Sequence, residues 1–314
     1  MANKLIADYK SGEPVDAVFL VREKELKTTR AGKLYMTIDL CDRTGSLPAN
    51  YWDATEAAFA SFDVDDFIRV KGRIETYKNN LQINIKEFEK VDRASVQVGD
   101  FIPQTEKDVN KMLAYLRKIL ATIQDEPLSK LVNAFLEDTE FCKKFKEAPA
   151  AVSNHHAYLG GLLEHTAAML HFTEKVCECY SVLRRDLLMA GVFLHDIGKI
   201  AEFSYDLSFQ YTDAGGLIGH LVIGCMMVEE KARRIEGFPQ DTLMLLQHMI
   251  LSHHGEFEYG SPKLPVTAEA IALHYIDNMD AKLNALPRMI EEDPNDDDNW
   301  TGFQRMFDRK MYKK

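Results

Sequence analysis

The hydrophobic period of this 314-residue chain changes once, between residues 93 and 105, and that change limits what it can fold into. From Val15 to about Val91 apolar residues alternate with polar ones, the period of a half-buried strand. The runs are Val15 to Val21, Leu34 to Leu40, Leu47 to Trp52, Phe67 to Tyr77 and Leu81 to Phe88, which predicts five strands. Asp42-Arg43-Thr44-Gly45-Ser46 and Lys78-Asn79-Asn80 supply turn residues between them. Beyond Pro103 the pattern is helical: Met112, Leu113, Leu116, Ile119, Leu120 and Ile123 form one apolar stripe. Pro127 suits a helix start, Pro149 ends the next segment, and the rest of the chain reads as helix.

A short helical stretch, Thr55 to Phe62, lies between the third and fourth strands, where an OB-fold places its helix. Alternation sorts the faces. Leu34, Met36, Ile38, Leu40, Ile68, Val70, Leu81, Ile83 and Ile85 would line a barrel, and Tyr35, Thr37, Arg69, Lys71, Arg73, Gln82, Asn84 and Lys86 would point outward. A ring among cations and amides suits single-stranded nucleic acid, with Tyr35, Arg69, Lys71, Arg73 and Lys86 as candidate contacts. The alternative is a solvated strand face whose charges protect a sheet edge. A chain of this length exceeds what one core usually supports. The expected division is a small all-β OB-fold barrel over residues 1–92, a linker over 93–105, and an all-α bundle over 106–314.

Within the helical half, His195-Asp196 closes the apolar run Leu187 to Leu194 and precedes Ile197-Gly198-Lys199. An imidazole beside a carboxylate is costly to bury unless positive charge sits between them, and a metal ion meets that need. The other candidate ligands follow in the order His165, His195-Asp196, His220, His253-His254, Asp277. Nitrogen and carboxylate donors without thiolates suit Mn²⁺, Fe or Zn²⁺, with Mg²⁺ a further candidate, and open positions for water and phosphate favour an octahedral ion. Two such ions would lower the pKa of a water and neutralise charge on a departing oxygen. Lys199, one turn past His195, could reach a non-bridging phosphate oxygen or be a surface lysine at a helix end. In Ser153 to His165, Gly160 and Gly161 permit close backbone approach, and either His156 or Tyr158 lines a pocket or the segment serves packing alone. His171 and His248 stay unassigned, because a lone histidine on an apolar helix is more often a core residue.

A net charge of −11 argues against a broad grip on duplex DNA, which needs many phosphates neutralised. Five cysteines without a Cys-x-x-Cys fit neither a disulfide framework nor a thiolate zinc site and suggest a reducing, cytoplasmic compartment. No stretch approaches the roughly 18 apolar residues of a membrane span. A homo-oligomer is compatible with the sequence but not specified by it.

The ligand order resembles the HD superfamily of metal-dependent phosphohydrolases, an all-helical fold. That resemblance implies that His165, His195, Asp196 and Asp277 hold one metal, and that Asp196, His220 and His253 or His254 hold a second, with Asp196 bridging. The whole chain resembles one family, the YhaM-type 3′→5′ exoribonucleases, through His155 to His165, Phe193 to Lys199, Leu251 to Glu256, Gly260-Ser261-Pro262 and Leu273 to Ala281. This implies Mn²⁺ as the metal. Asp196 and Lys199 are the expected catalytic residues, and His156 and Lys199 the expected substrate contacts. The expected reaction removes nucleoside 5′-monophosphates from the 3′ ends of single-stranded RNA, or of single-stranded DNA. His253-His254-Gly255-Glu256 with Gly260 and Pro262 also resembles the HD-GYP cyclic-dinucleotide phosphodiesterases, but Ser261 stands where their tyrosine would. A cyclic-dinucleotide or small-nucleotide phosphodiesterase is therefore the second expectation, and a non-catalytic nucleic-acid-binding regulator the third.

Overall fold

The computed structural model describes residues 4–77, 80–151, 158–205, 207, 210–291, 293 and 298–314. The chain divides into two compact units, residues 1–104 with 206–208 and residues 105–205 with 209–314.

In the first unit β1 (Pro14–Thr28), β2 (Leu34–Asp42), β3 (Gly45–Tyr51), β4 (Phe67–Tyr77) and β5 (Asn80–Val91) close into a barrel of order β1-β2-β3-β5-β4. The β3–β5 pairing is parallel and every other pairing antiparallel. A one-turn helix, α1 (Glu56–Phe59), sits between β3 and β4, with Thr55 Oγ1 accepting from the Ala58 N–H at its start. The expected alternation holds, because Met36, Ile38, Leu40, Ile68, Val70, Ile83 and Ile85 are buried with Phe19 and Phe62. Leu34 and Leu81, at strand ends, are half-buried. β1 runs seven residues beyond the expected Val21, through Arg22-Glu23-Lys24-Glu25-Leu26-Lys27-Thr28, whose charges hide strand pairing from a hydrophobicity pattern. The stretch 93–105, expected as a linker, carries two 3₁₀ turns, and its Phe101 is buried with Phe67, Leu20 and Cys41.

The second unit is helical: α2 (Val109–Leu120), α3 (Glu126–Leu136), α4 (Thr139–Glu147), α5 (Gly161–Cys179), α6 (Arg185–Leu194), α7 (Lys199–Glu202), α8 (Asp213–Leu217), α9 (His220–Arg233), α10 (Gln240–Ser252) and α11 (Ala268–Glu291). Asp108, Asp125 and Asp138 cap α2, α3 and α4 by accepting backbone N–H bonds, as short side-chain carboxylates do at N-termini. The core is continuous from Leu116 and Phe135 through Phe193 to Leu246 and Leu273, and α5 and α6 lie within it. Two small hairpins interrupt the helical pattern: β6 (Phe203–Ser204) with β7 (Gln210–Tyr211), and β8 (Trp300–Gln304) with β9 (Arg309–Tyr312). Strands of two to five residues are too short to leave a period in the sequence. No helix among the described residues is long and apolar enough to cross a membrane.

Candidate functional site

Three helix ends converge where the sequence concentrates its histidines. His195 is the C-terminal cap of α6, His253 the C-terminal cap of α10, and His220 the first residue of α9. The last carbonyls of a helix lack intrahelical partners. Here they are used: His195 Nδ1 donates to Val192 O at 2.8 Å and His253 Nδ1 to Ile250 O at 2.7 Å. His254 Nδ1 donates to Tyr259 O at 2.8 Å. A carbonyl only accepts, so Nδ1 of each of these rings carries a proton and Nε2 is turned inward. The other two rings are held by carboxylates, His165 Nδ1 by Asp280 at 2.7 Å and His220 Nδ1 by Glu202 at 2.9 Å. All five imidazoles thus have an outer partner that fixes the ring plane, the arrangement found around metal-bound histidines.

Asp196, 2% exposed, stands between two groups of these nitrogens. Its Oδ2 lies 3.3 Å from His195 Nε2 and 4.0 Å from His165 Nε2, and His165 Nε2 is 3.2 Å from Asp277 Oδ1. Its Oδ1 lies 3.5 Å from both His220 Nε2 and His253 Nε2. Donor atoms of His165, His195 and Asp277 fall within 4.8 Å of one another, as do those of His220, His253 and His254. Both His253 and His254 are therefore available on the second side.

Whether cations fit is answered by two buried atoms. Among the described residues, Asp196 Oδ1 and His220 Nε2 have no hydrogen-bond partner, although they lie 3.5 Å apart. A buried polar atom left unpaired costs about 1–3 kcal/mol. A divalent ion making bonds of about 2.0–2.2 Å to nitrogen and oxygen would satisfy atoms held at these separations. The ionisation states agree with a ligand set. Burial opposes the charge on Asp196 and Asp277, yet Lys199 and His195 hold the first well below the usual carboxylate range, and His165 lowers the second. Burial and the neighbouring His253 and His220 push His254 down to about 3, and burial lowers His253, so both stay neutral. His165 behaves differently: burial disfavours its charge, but Asp277 and Asp280 raise it to about 9. Its ring supplies positive charge that a cation would otherwise bring.

Lys199 is not at the surface. Its ammonium rests 2.6 Å from Asp196 Oδ2 and the residue is buried. His156 lies outside the described residues. Of the unassigned histidines, His171 Nδ1 bonds Tyr115 Oη at 3.0 Å and His248 Nε2 accepts from the Val266 N–H at 3.1 Å, both away from the cluster. Three positioning residues carried no expectation: Asp280, Glu202 and His274. His274 Nδ1 donates to His253 O at 2.8 Å, and its ring fills the space beside Gly255, at φ +80°, where a Cβ would come within 2.1 Å of it. The spacing Asp277 to Asp280, one helical turn, was the available signal for the second carboxylate. Replacing Asp280 by Asn, or Glu202 by Gln, is expected to weaken metal affinity or lower kcat by about 10–100-fold, with little change in helical circular dichroism. Titration of each apoprotein with Mn²⁺ checks it.

On the barrel, the expected nucleic-acid face is divided. Arg69 makes a two-pronged pair with Asp16, at 2.7 and 3.2 Å, and Lys71 Nζ is 3.2 Å from Glu87. Cross-strand register causes this: Glu87 lies directly opposite Lys71, and Asp16, opposite Lys71 on the other side, is the diagonal neighbour of Arg69. Arg73 and Lys86 are exposed and hold no carboxylate among the described residues. Tyr35 is joined by a residue given no role from sequence, Trp52, half exposed and stacked on it at 5.0 Å between centroids. Asn50 and Gln82 bond each other on strands β3 and β5 of the same barrel.

Comparison with known proteins agrees with both halves. The OB-fold nucleic acid binding domain family matches residues 20–91 and the HD domain family residues 162–282. A 3′-5′ exoribonuclease YhaM of Geobacillus sp. is 34% identical over 290 residues, 92% of this chain and 89% of that protein. The proteins of the same name from Bacillus pumilus and Bacillus subtilis are each 34% identical over 90% or more of both chains. At that identity over that share of both chains, with an OB-fold barrel and an HD domain in sequence, the chain belongs to the YhaM 3′-5′ exoribonuclease family.

Proposed function

We infer that this chain is a 3′→5′ exoribonuclease that binds divalent metal ions, and we propose that it acts on single-stranded RNA with two ions, Mn²⁺ first among the candidates. The observation that carries the reading is Asp196, whose two oxygens face separate nitrogen sets, one of them unpaired. His165, His195, Asp196 and Asp277 would hold one ion, and Asp196, His220, His253 and His254 the other. Bound ions of this kind acidify a water and neutralise charge developing on phosphate. Lys199 adds a cation at the same place, suited to a non-bridging phosphate oxygen. The outer partners Asp280, Glu202 and the helix-end carbonyls keep the rings from reorienting when substrate enters. Five free thiols support a cytoplasmic setting.

The test is one gel. RNA oligonucleotides labelled at the 5′ or the 3′ end are incubated with Mn²⁺, Mg²⁺ or EDTA. The expected result is a 5′-labelled ladder shortening from the 3′ end, immediate release of a labelled nucleoside 5′-monophosphate from the other substrate, no activity in EDTA, and slow action on a 3′-phosphorylated end. Internal cuts in circular RNA, or inert RNA with rapid cleavage of cyclic di-GMP, would overturn it.

The barrel should hold the strand through Tyr35 and Trp52, with Arg73 and Lys86. Trp52→Ala is expected to raise KM for a long oligonucleotide by about tenfold, within the 1–3 kcal/mol that a stacked base contributes. Arg69 and Lys71 already have carboxylate partners, so Arg69→Ala should change KM less than Arg73→Ala does. Equal effects of the two arginine variants would return both to a general electrostatic role.

A further inference from the structure

The C-terminal hairpin β8–β9 stands outside the metal cluster and the barrel, and its chemistry has no use in either. In antiparallel pairs, residues opposite each other share a face. Trp300 pairs with Tyr312 and Phe303 with Lys310, across a bulge, so that three rings and one ammonium lie on the same side. That side is open: Trp300, Phe303 and Tyr312 are 48, 61 and 50% exposed. The opposite side is the packed one, with Thr301 buried and its Oγ1 accepting from the Met311 N–H at 2.9 Å. The hairpin is therefore anchored, and its aromatic face is displayed rather than left over from incomplete packing.

Charge identifies what this face suits. Residues 299–314 carry Arg305, Arg309, Lys310, Lys313 and Lys314 against Asp308 alone, in a chain whose net charge is −11. Arg305, Lys310 and Lys314 hold no carboxylate among the described residues. Lysine is depleted in protein–protein interface cores, whereas ring faces interleaved with cations are the chemistry of single-stranded nucleic acid. Helix α11 leads from Asp277 at the metal cluster to Glu291, 14 residues or about 20 Å of helix, ahead of the hairpin.

We propose that the outer face of this hairpin, Trp300, Phe303, Lys310 and Tyr312, is a second contact for single-stranded RNA, touched by substrates several nucleotides long and not by the shortest ones. It rests on the exoribonuclease reading only for the identity of the strand.

The experiment uses the full chain and a fluorescent 20-nucleotide RNA in EDTA, so that binding is read by anisotropy without hydrolysis. The double variant Trp300→Ala with Lys310→Ala is expected to bind about tenfold or more weakly, and its log Kd against log salt should flatten by about 0.7. Hydrolysis of bis(p-nitrophenyl) phosphate with Mn²⁺, which cannot span to the hairpin, should match the wild type. Trp300→Phe, which keeps a ring, should recover most of the affinity and guards against misfolding as the cause. An unchanged Kd in the double variant overturns the proposal. So does a wild-type dimer in light scattering that becomes a monomer in the variant with Kd unaltered, since the face would then join two copies. Wild-type protein that binds the RNA but never shortens it would overturn the exoribonuclease reading instead, while the anisotropy result would still decide the hairpin.

Discussion

Asp196→Asn is expected to lower kcat by more than a thousandfold while leaving helical circular dichroism and RNA binding in place. A single preorganised group in an active site is typically worth about 10²–10³ in rate, and this carboxylate faces both nitrogen sets at once. The amide that replaces it is the same size, but one of its two ends becomes a donor and can no longer accept a cation. The side facing His220 and His253 and the side facing His195 cannot both be served. The fold should survive because the surrounding helices are held by the apolar core around Phe193, Leu246 and Leu273. Lys199 loses its partner, yet its side chain retains 10% exposure and can turn toward water. Metal content by mass spectrometry and turnover on a 5′-labelled RNA check the result together. A folded Asp196→Asn protein that binds two equivalents of Mn²⁺ and degrades RNA normally would remove the bridging role.

What could be read in the sequence was chemistry that has a local signature. Alternation of Met36, Ile38 and Leu40 reports a strand face because the side-chain period of a strand is two, and those residues are buried as expected. The histidines and aspartates of the cluster were legible by type and order, since a buried imidazole beside a carboxylate has few other uses. Their outer partners were less so. Glu202 and Asp280 are carboxylates at helical positions that look like a solvated face until the partner ring is in place. The pairing of Arg69 with Asp16 and of Lys71 with Glu87 depends on cross-strand register, which composition does not contain. Trp52 sat at the end of an expected strand, and only the stack on Tyr35 gives it a face to offer. The length of β1 and the β8–β9 hairpin escaped for a related reason: both pair through backbone groups, with charged or irregular side chains outside.

Gly198→Ala should cost both stability and activity, although its backbone does not require glycine. Its φ of −62° and ψ of −22° are ordinary for any residue, so conformational strain is not the cause. Space is. A Cβ at this position would lie 2.1 Å from His220 O and 2.7 Å from the Gly224 N–H nitrogen, both in the backbone of α9. Backbone cannot swing aside as a flexible side chain can, so α9 must retreat from the His195-to-Lys199 turn or the turn must move. Overpacking of this kind costs about 1–3 kcal/mol. The helix that retreats begins with His220, and displacing a positioned group by about 1 Å can cost 10²-fold in rate. The expected protein is folded, melts earlier, binds one equivalent of Mn²⁺ more tightly than the other, and turns over RNA about a hundredfold more slowly. Gly216→Ala is the control, because nothing lies within 4 Å of its Cβ. If Gly198→Ala keeps two equivalents of metal and wild-type turnover, the close approach of α9 to the turn does not set the position of His220, and that half of the site is held by Glu202 alone.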